Sequence, residues 1–437
     1  MGRKIKLAVM AALIVTSLAI AAFFWLTMPP SEYNPRNIYY RLKGYTVNPW
    51  IPIPRDRKYE LSIWDVDWPI KWQGRYDYEE FLENFIERFK LRYPEINIEV
   101  KSNLFPLDQY TKTVEEAHGR GELPTVLAGP WVDSLLNAGC LVPLDPFLSR
   151  IDRSLLNEAA KAAVSKEEQL CALPCWLDIR CAVANPALLS QRGLDVDTVA
   201  FHGWTPKEFK YIADLAVLDK GNVESVVDLA WTSMQGAEEL TANLELVETL
   251  SKNRFKGFLD PFWQGEAAVI LPVGRGFLRH AIERSGIMEA KEVSGVEYRL
   301  VPLPAPTAGS PVYPARLDAV CVPGLIDGGD LPLLRLACEL AVELARARSW
   351  IASELKGVPA SIADVPGWRL RSGIDEVNCQ FLLRSLENLR IEATTPSTLP
   401  VQKRLLDALR GELGLSLLQG GITAAQCVET LKSAWYP

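Results

Sequence analysis

Histidine is scarce in this chain: His118, His202 and His280 are the only three in 437 residues, and none sits at ligand spacing from another. That argues against a histidine-built metal site or proton relay. The motifs G-x-S-x-G, H-E-x-x-H and the phosphate-cradling P-loop are all missing. Their absence removes the commonest serine-hydrolase, zinc-protease and nucleotide-hydrolysing readings. Gly274-Arg275-Gly276 lacks the third glycine of a dinucleotide fingerprint. A basic excess is lacking too, since the net charge is −7, which argues against nucleic acid as a partner. No repeat of solenoid or propeller period and no low-complexity tract is found.

What the chain does have is ample core: 48% apolar residues against 23% charged, over a length that suits two or three domains. At the amino terminus Arg3, Lys4 and Lys6 precede an uncharged run from Leu7 to Met28, closed by Pro29-Pro30. As a helix that run is roughly 33 Å long, against about 30 Å of bilayer core. Residues 1–28 are therefore expected to be an uncleaved transmembrane signal-anchor. The N-terminus would be cytoplasmic and the bulk of the chain extracytoplasmic at the cell membrane. Cleavage after the small-residue pattern Ala19-Ile20-Ala21 is the rival reading and would give a secreted protein. With no cysteine nearby, a lipid anchor is excluded. Residues 29–57 carry six prolines and Arg36, Arg41, Lys43, Arg55 and Arg57, and read as a Pro-stiffened linker, with contact to anionic headgroups as the alternative. Of the eight cysteines, Cys171, Cys175 and Cys181 lie along one extended stretch, too far apart to bridge and not at zinc spacing. Buried thiols are the expectation.

The folded part reads as α/β. A strand at Tyr59–Val66 is followed by a helix whose apolar face runs Tyr78, Phe81, Leu82, Phe85, Ile86, Phe89 and Tyr93 and which Pro94 ends. Ile96, Ile98 and Val100 then alternate as a strand, and Thr125–Ala128 follows, the order of parallel βαβ units. Further strands are expected within Cys171–Val183, at Val269–Val273 and at Tyr298–Leu303, with a long helix at Leu331–Trp350. Thr205-Pro206-Lys207-Glu208 is a capping box with Trp204 placed to staple onto Phe209, and Thr423 to Gln426 is a second box.

Several segments taken together resemble a known family. Tyr59-Glu-Leu-Ser-Ile-Trp64, Phe89 to Val100, and the stretch Gly121 to Leu148 with Trp131 and Leu141-Val-Pro-Leu-Asp145 are three of them. Leu173-Pro174, Gly193-Leu194-Asp195 with Trp204 to Phe209, Gln264-Gly265-Glu266-Ala267-Ala268, Gly357-Val-Pro-Ala-Ser361 and Gly421 to Leu431 follow in order. From about Tyr59 onward the chain is similar to the extracellular solute-binding proteins of ABC importers, the group similar to maltose-binding protein. Two departures stand out: Ala182 to Leu188 keeps only Asn185 and Leu188 of the segment expected after the crossover, and the lipid-anchor cysteine is missing.

The resemblance implies a two-lobed periplasmic-binding-protein-like fold of type II. Each lobe would be a mixed sheet flanked by helices, with a hinge and a cleft, preceded here by the transmembrane helix. The solute-binding region would be 58–437, with lobe 1 at about 58–177 and 313–355 and lobe 2 at about 178–312 and 356–437. It implies a non-enzymatic receptor with no cofactor, capturing a carbohydrate and delivering it to ABC permease subunits in the membrane. The alternative is a membrane-tethered ectodomain of the same fold used for sensing or protein contact. A glycan hydrolase, which paired carboxylates would serve, is set aside for want of a catalytic motif.

Flat aromatic faces flanked by carboxylates suit sugar rings. Trp64, Asp65 and Trp68 at the end of the first strand, Trp131 after the third, Trp176 and Asp178 on the crossover, and Trp231 are the candidate ligand residues. Arg275, between two glycines at a helix start, is a candidate for an anionic group. Arg316 is expected either to line the cleft or to pair with Asp318, with pairing favoured. Trp204 is assigned to stapling, and Trp350, Trp368 and Trp435 to core. Asp65-x-Asp67 suggests a metal only weakly, because no further ligand converges on it.

Overall fold

The computed structural model describes residues 10, 13–20, 22–23, 28–72, 75–220, 222–231, 237–253, 255, 257–287, 296–305, 311–324, 329–391 and 400–435. Helix α1 (Pro35–Leu42) precedes strand β1 (Lys58–Val66), helix α2 (Tyr78–Lys90), β2 (Asn97–Phe105) and β3 (Val126–Pro130). The alternation of β1 places Tyr59, Leu61 and Ile63 in the core. Asp77 caps α2 by accepting the Glu80 N–H at 2.8 Å, with Glu79 and Glu80 in its first turn and Arg88 and Lys90 in its last. Strand β1 runs parallel to both β2 and β3, as the βαβ order requires.

The chain then crosses. Strand β4 (Ala172–Ile179) passes through Arg180 into β5 (Cys181–Ala184), and β6 (Ala216–Leu218), helix α3 (Glu224–Trp231), β7 (Val269–Val273), helix α4 (Arg275–Ile287) and β8 (Arg299–Val301) follow. Strand β9 (Tyr313–Cys321), helix α5 (Leu331–Arg348), β10 (Val358–Pro359) and β11 (Leu389–Ile391) come next, and helices at Pro400–Arg410, Glu412–Leu418 and Ala424–Trp435 finish the described chain. Two sheets result. The larger has the order β10-β4-β9-β3-β1-β2 with β11 also paired to β9; the smaller has the order β6-β7-β5-β8. Both are mixed, because β9 runs antiparallel to β3 and β4, and β5 antiparallel to β7 and β8. Each sheet is one lobe. The terminal helices pack on the smaller one, with Leu405, Leu409, Leu417, Cys427 and Leu431 in its core.

Two expectations change. Residues 29–57 are a folded strap, not a spacer: Val47 and Ile51 join the main core, Asn34, Asn37 and Asn48 are buried, and Arg335 donates to the Ile51 carbonyl. The prolines mask this in the sequence, since only a few apolar residues need to be buried to dock such a strap. Second, Val358–Pro359 and Leu389–Ile391 hydrogen-bond to the larger sheet, although everything after 356 was expected in lobe 2. The helix Glu376–Ser385 between them touches both lobes, and Asn378 Oδ1 accepts the Leu300 N–H at 2.8 Å. Among the described residues no helix is long and apolar enough to cross a membrane. The expected anchor at 1–28 lies largely outside the described residues. Those described at 13–20 and 22–23 are helical, with Leu13, Ile14, Val15, Leu18, Ile20 and Phe23 exposed.

All eight cysteines are free and buried, as expected for thiols that pack as small apolar side chains. Burial raises the Cys171 thiol to about 11 and the Cys181 thiol to about 12.

Candidate functional site between the lobes

Strand β9 lies between β4 and β3, and its register sets Trp176, Asp318 and Pro130 side by side across three strands. Trp131 is fixed just beyond by its N–H donating to the Leu317 carbonyl at 2.8 Å. Trp68, past the end of β1, meets Trp176 edge-on with ring centroids 5.3 Å apart. From the other lobe Arg275, the first residue of α4, lays its guanidinium over both rings, 5.0 Å from Trp68 and 5.1 Å from Trp176. Trp68, Trp131 and Trp176 each bury an indole N–H that has no acceptor among the described residues.

Asp178 completes this contact. Its Oδ1 accepts the backbone N–H of Arg275 at 2.8 Å, and its other oxygen lies 4.0 Å from Arg275 Nε. The helix terminus and cation read as a receptor for an anionic group thus already hold a carboxylate of the chain itself. Gly274 makes the approach possible: a Cβ there would lie 2.4 Å from Arg180 Nη1 and 2.5 Å from Asp178 Oδ1. Gly357 does the same under Trp176, where a Cβ would lie 2.6 Å from Cε3. Burial lowers the pKa of Arg275, with Asp178 pulling it back up.

A second set of charges spans the lobes. Arg180, at the crossover, places Nε 2.8 Å from Asp228 Oδ2 on α3 and Nη1 3.8 Å from Asp178 Oδ2. Arg316 on β9 is 2.8 Å from Glu224 and 3.5 Å from Asp228, and Glu224 also meets Arg410 at 3.1 Å. Burial works against the charge on Arg180 and on Arg316, but Asp228 and the neighbouring acids outweigh it and raise both. The favoured Arg316–Asp318 pairing is not what forms. Arg316 reaches the acids on α3, and Asp318 turns inward to Arg348.

That inward group is a fully buried charge cluster. Arg348 is fully buried, donates through Nη2 to both Asp318 oxygens at 2.7 Å, and donates through Nη1 to Asp65 and, at 2.8 Å, to the Tyr78 hydroxyl. Tyr78 in turn donates to Asp65 at 2.5 Å. One cation thus serves two buried carboxylates. Burial pushes Asp65 up to about 6, against the pull of Arg348, and raises Asp318 as well. Asp65 is therefore a support beneath Trp68, whose ring lies 6.0 Å from the Arg348 guanidinium, and not a ligand contact.

The candidates accordingly divide. Trp68, Trp176, Asp178 and Arg275 are brought together, with Trp131 and Arg316 on neighbouring strands. Trp64 faces elsewhere, packing on Phe105 at 5.1 Å and donating to the Asn103 amide, turned to offer its oxygen at 3.0 Å. Trp231 ends α3, but its side chain is outside the described residues. Asp65 and Asp67 diverge, because Asp67 lines a separate surface cavity of about 630 Å³ with Asp77, Glu79 and Asn103. Among the described residues no group of three histidines, cysteines or acids is placed to hold a metal ion. Arg180, Asp228, Glu224 and Arg348 were missed. For Arg180 a signal existed, since Asp178-Ile179-Arg180 interrupts an otherwise apolar crossing strand. Arg348, near the end of a Leu/Ala-rich helix, reads as an ordinary solvated C-terminal cation.

Neither a family model nor a curated protein sequence matches this chain. Solved structures do. The sugar-binding protein MalE from the phytopathogen Xanthomonas citri aligns over 86% of this chain and 95% of its own at 13% identity, with a TM-score of 0.60. The GacH receptor of Streptomyces glaucescens aligns over 87% and 98% at 16% identity, TM-score 0.59. A solute-binding protein of an ABC transporter from Thermotoga lettingae, bound with alpha-D-tagatose, aligns over 86% and 99% at 15% identity, TM-score 0.58. The chain thus has the mixed α/β, two-lobed fold of ABC-transporter solute-binding proteins.

Proposed function

We propose that this chain is an extracytoplasmic, non-enzymatic solute-binding protein that captures a carbohydrate between its lobes and passes it to an ABC-type permease. The observation that carries the reading is the meeting of Trp68 and Trp176 from one lobe with the N-terminus of α4 from the other, in a fold of solute-binding type. Indole rings offer apolar faces to a sugar ring. The indole N–H groups of Trp68, Trp131 and Trp176, without acceptors among the described residues, suit its hydroxyl oxygens. The proteins it resembles in structure include sugar-binding receptors. The apolar run at 7–28, exposed where described, supports a membrane anchor with the lobes outside.

A second reading has its own support. Arg275 and Asp178 occupy the ground between the lobes, as an internal ligand would. The same fold would then act as a tethered sensing or docking domain with a plugged cleft. A thermal-shift screen of the full chain and its Arg275→Ala variant against mono- and oligosaccharides, sugar acids and polyols separates the two. A ligand at a hundred times its Kd adds about 2.7 kcal/mol. A dose-dependent shift in the wild type supports capture. A shift only in the variant supports the plug. No shift in either, from folded protein, defeats the carbohydrate reading.

A further inference from the structure

The strap has two faces. On one, buried asparagines tie it to itself and to the end of the apolar run. Asn34 caps α1, accepting the Arg36 N–H at 2.8 Å, and donates to the carbonyls of Met28 at 2.7 Å and Pro29 at 2.9 Å. Asn37 donates to the Ser31 carbonyl at 2.9 Å, and Asn48 to Asn37 Oδ1 at 3.0 Å. Arg36 lies 4.3 Å over the Trp50 ring, and Val47 and Ile51 anchor the strap in the core of the larger lobe. The residue where the apolar run ends is therefore held in a fixed position on the body.

The other face of α1 is open. Tyr33 is 79% exposed, Ile38 44%, Tyr39 46% and Leu42 83%, and Arg41 and Lys43 are exposed beside them. On an α-helix, positions 38, 39 and 42 adjoin one another. Apolar and tyrosine side chains with adjacent cations are the composition of a helix lying in a lipid headgroup layer. Residues 29–57 hold five basic and two acidic side chains in a chain whose net charge is −7. An anionic surface would repel most of this protein and attract this segment.

We propose that the exposed face of α1 docks on anionic lipid headgroups of the membrane in which residues 7–28 are anchored, fixing the larger lobe against the bilayer. The inference rests on the anchor reading. Because anchor and helix are joined at Met28–Asn34, docking is intramolecular and needs only a weak intrinsic affinity. The strap then acts as a docked foot where a Pro-stiffened spacer was expected.

The test uses the full chain in protein-free lipid nanodiscs, zwitterionic or with added phosphatidylglycerol. A fluorophore is placed on a single introduced cysteine and quenched by nitroxide-labelled lipid; the native cysteines, all buried, stay unlabelled. Ile14→Cys reports the anchor, Leu42→Cys the docking face, and Leu415→Cys, exposed on the smaller lobe, the background. The expected result is strong quenching at positions 14 and 42 in anionic discs and none at 415. At position 42 quenching weakens severalfold in zwitterionic discs or with Arg41→Glu/Lys43→Glu. Quenching at 14 with position 42 no better than 415 overturns the docking and leaves the anchor standing; a protein partner on this face would give that result. Quenching at 42 that ignores both lipid charge and charge reversal overturns the anionic specificity. No quenching at 14 overturns the anchor reading and this inference with it.

Discussion

At the residue scale, Arg348 is the side chain on which most depends. It is shared by Asp65 and Asp318, all three buried. Removing one member of such a group costs more than the group contributes, because a buried charge loses its partner. Arg348→Met is expected to lower unfolding free energy by about 3–5 kcal/mol, read from urea denaturation. A loss under about 1 kcal/mol would mean the acids are solvated on the surface. The cluster also sets a pH dependence. Asp65 is raised from 3.8 to about 6 by burial, so the native state holds its proton more tightly than the unfolded chain does. The associated stability is fully present below about pH 4 and lost as pH rises through about 6, on the order of 3 kcal/mol in total. Asp65→Asn should flatten that slope in denaturation curves taken across this range. An unchanged slope would place its origin in another group. None of this was legible in the sequence, where Asp65 stood next to tryptophans at a strand end and looked like a ligand contact. Burial decided its role, and burial belongs to the packing of α2, β9 and α5 around it.

Elements fared differently from residues. Thr205 accepts the Glu208 N–H at 3.2 Å while Glu208 accepts from Thr205 N at 2.7 Å, and Trp204 meets Phe209 at 4.8 Å, as local chemistry dictates. Thr205→Ala should cost about 1 kcal/mol in thermal or urea unfolding; no cost would mean that the helix is held by its packing alone. The strap is the element the sequence misrepresented. Ile51 is buried in the core of the larger lobe, so Ile51→Ala should cost about 2–4 kcal/mol. A loose linker would lose almost nothing by the same change in the same denaturation measurement. Proline content described the backbone's stiffness correctly but gave no hint of where Val47 and Ile51 would find a partner surface.

For the whole molecule, ion pairs from Arg180, Arg275 and Arg316 link the lobes without any ligand. Removing two of them in Asp178→Ala/Arg316→Ala should shift the population toward an open form, seen as a larger radius of gyration in small-angle scattering. The wild type should open partially at high salt only where its pairs are solvent-screened. Scattering curves that superimpose for wild type and variant would show that apolar contacts, not these charges, hold the lobes together. The sequence by itself determined the order of strands and helices, their caps and the two-lobed class. Those follow from periodicity and short-range hydrogen bonding, and from motif order along the chain. Only the tertiary structure decided which charged side chains face the cleft. Asp178, Arg275 and Arg316 meet partners 88 to 97 positions away, and the sheet register and lobe placement that bring them together are not encoded in any local pattern.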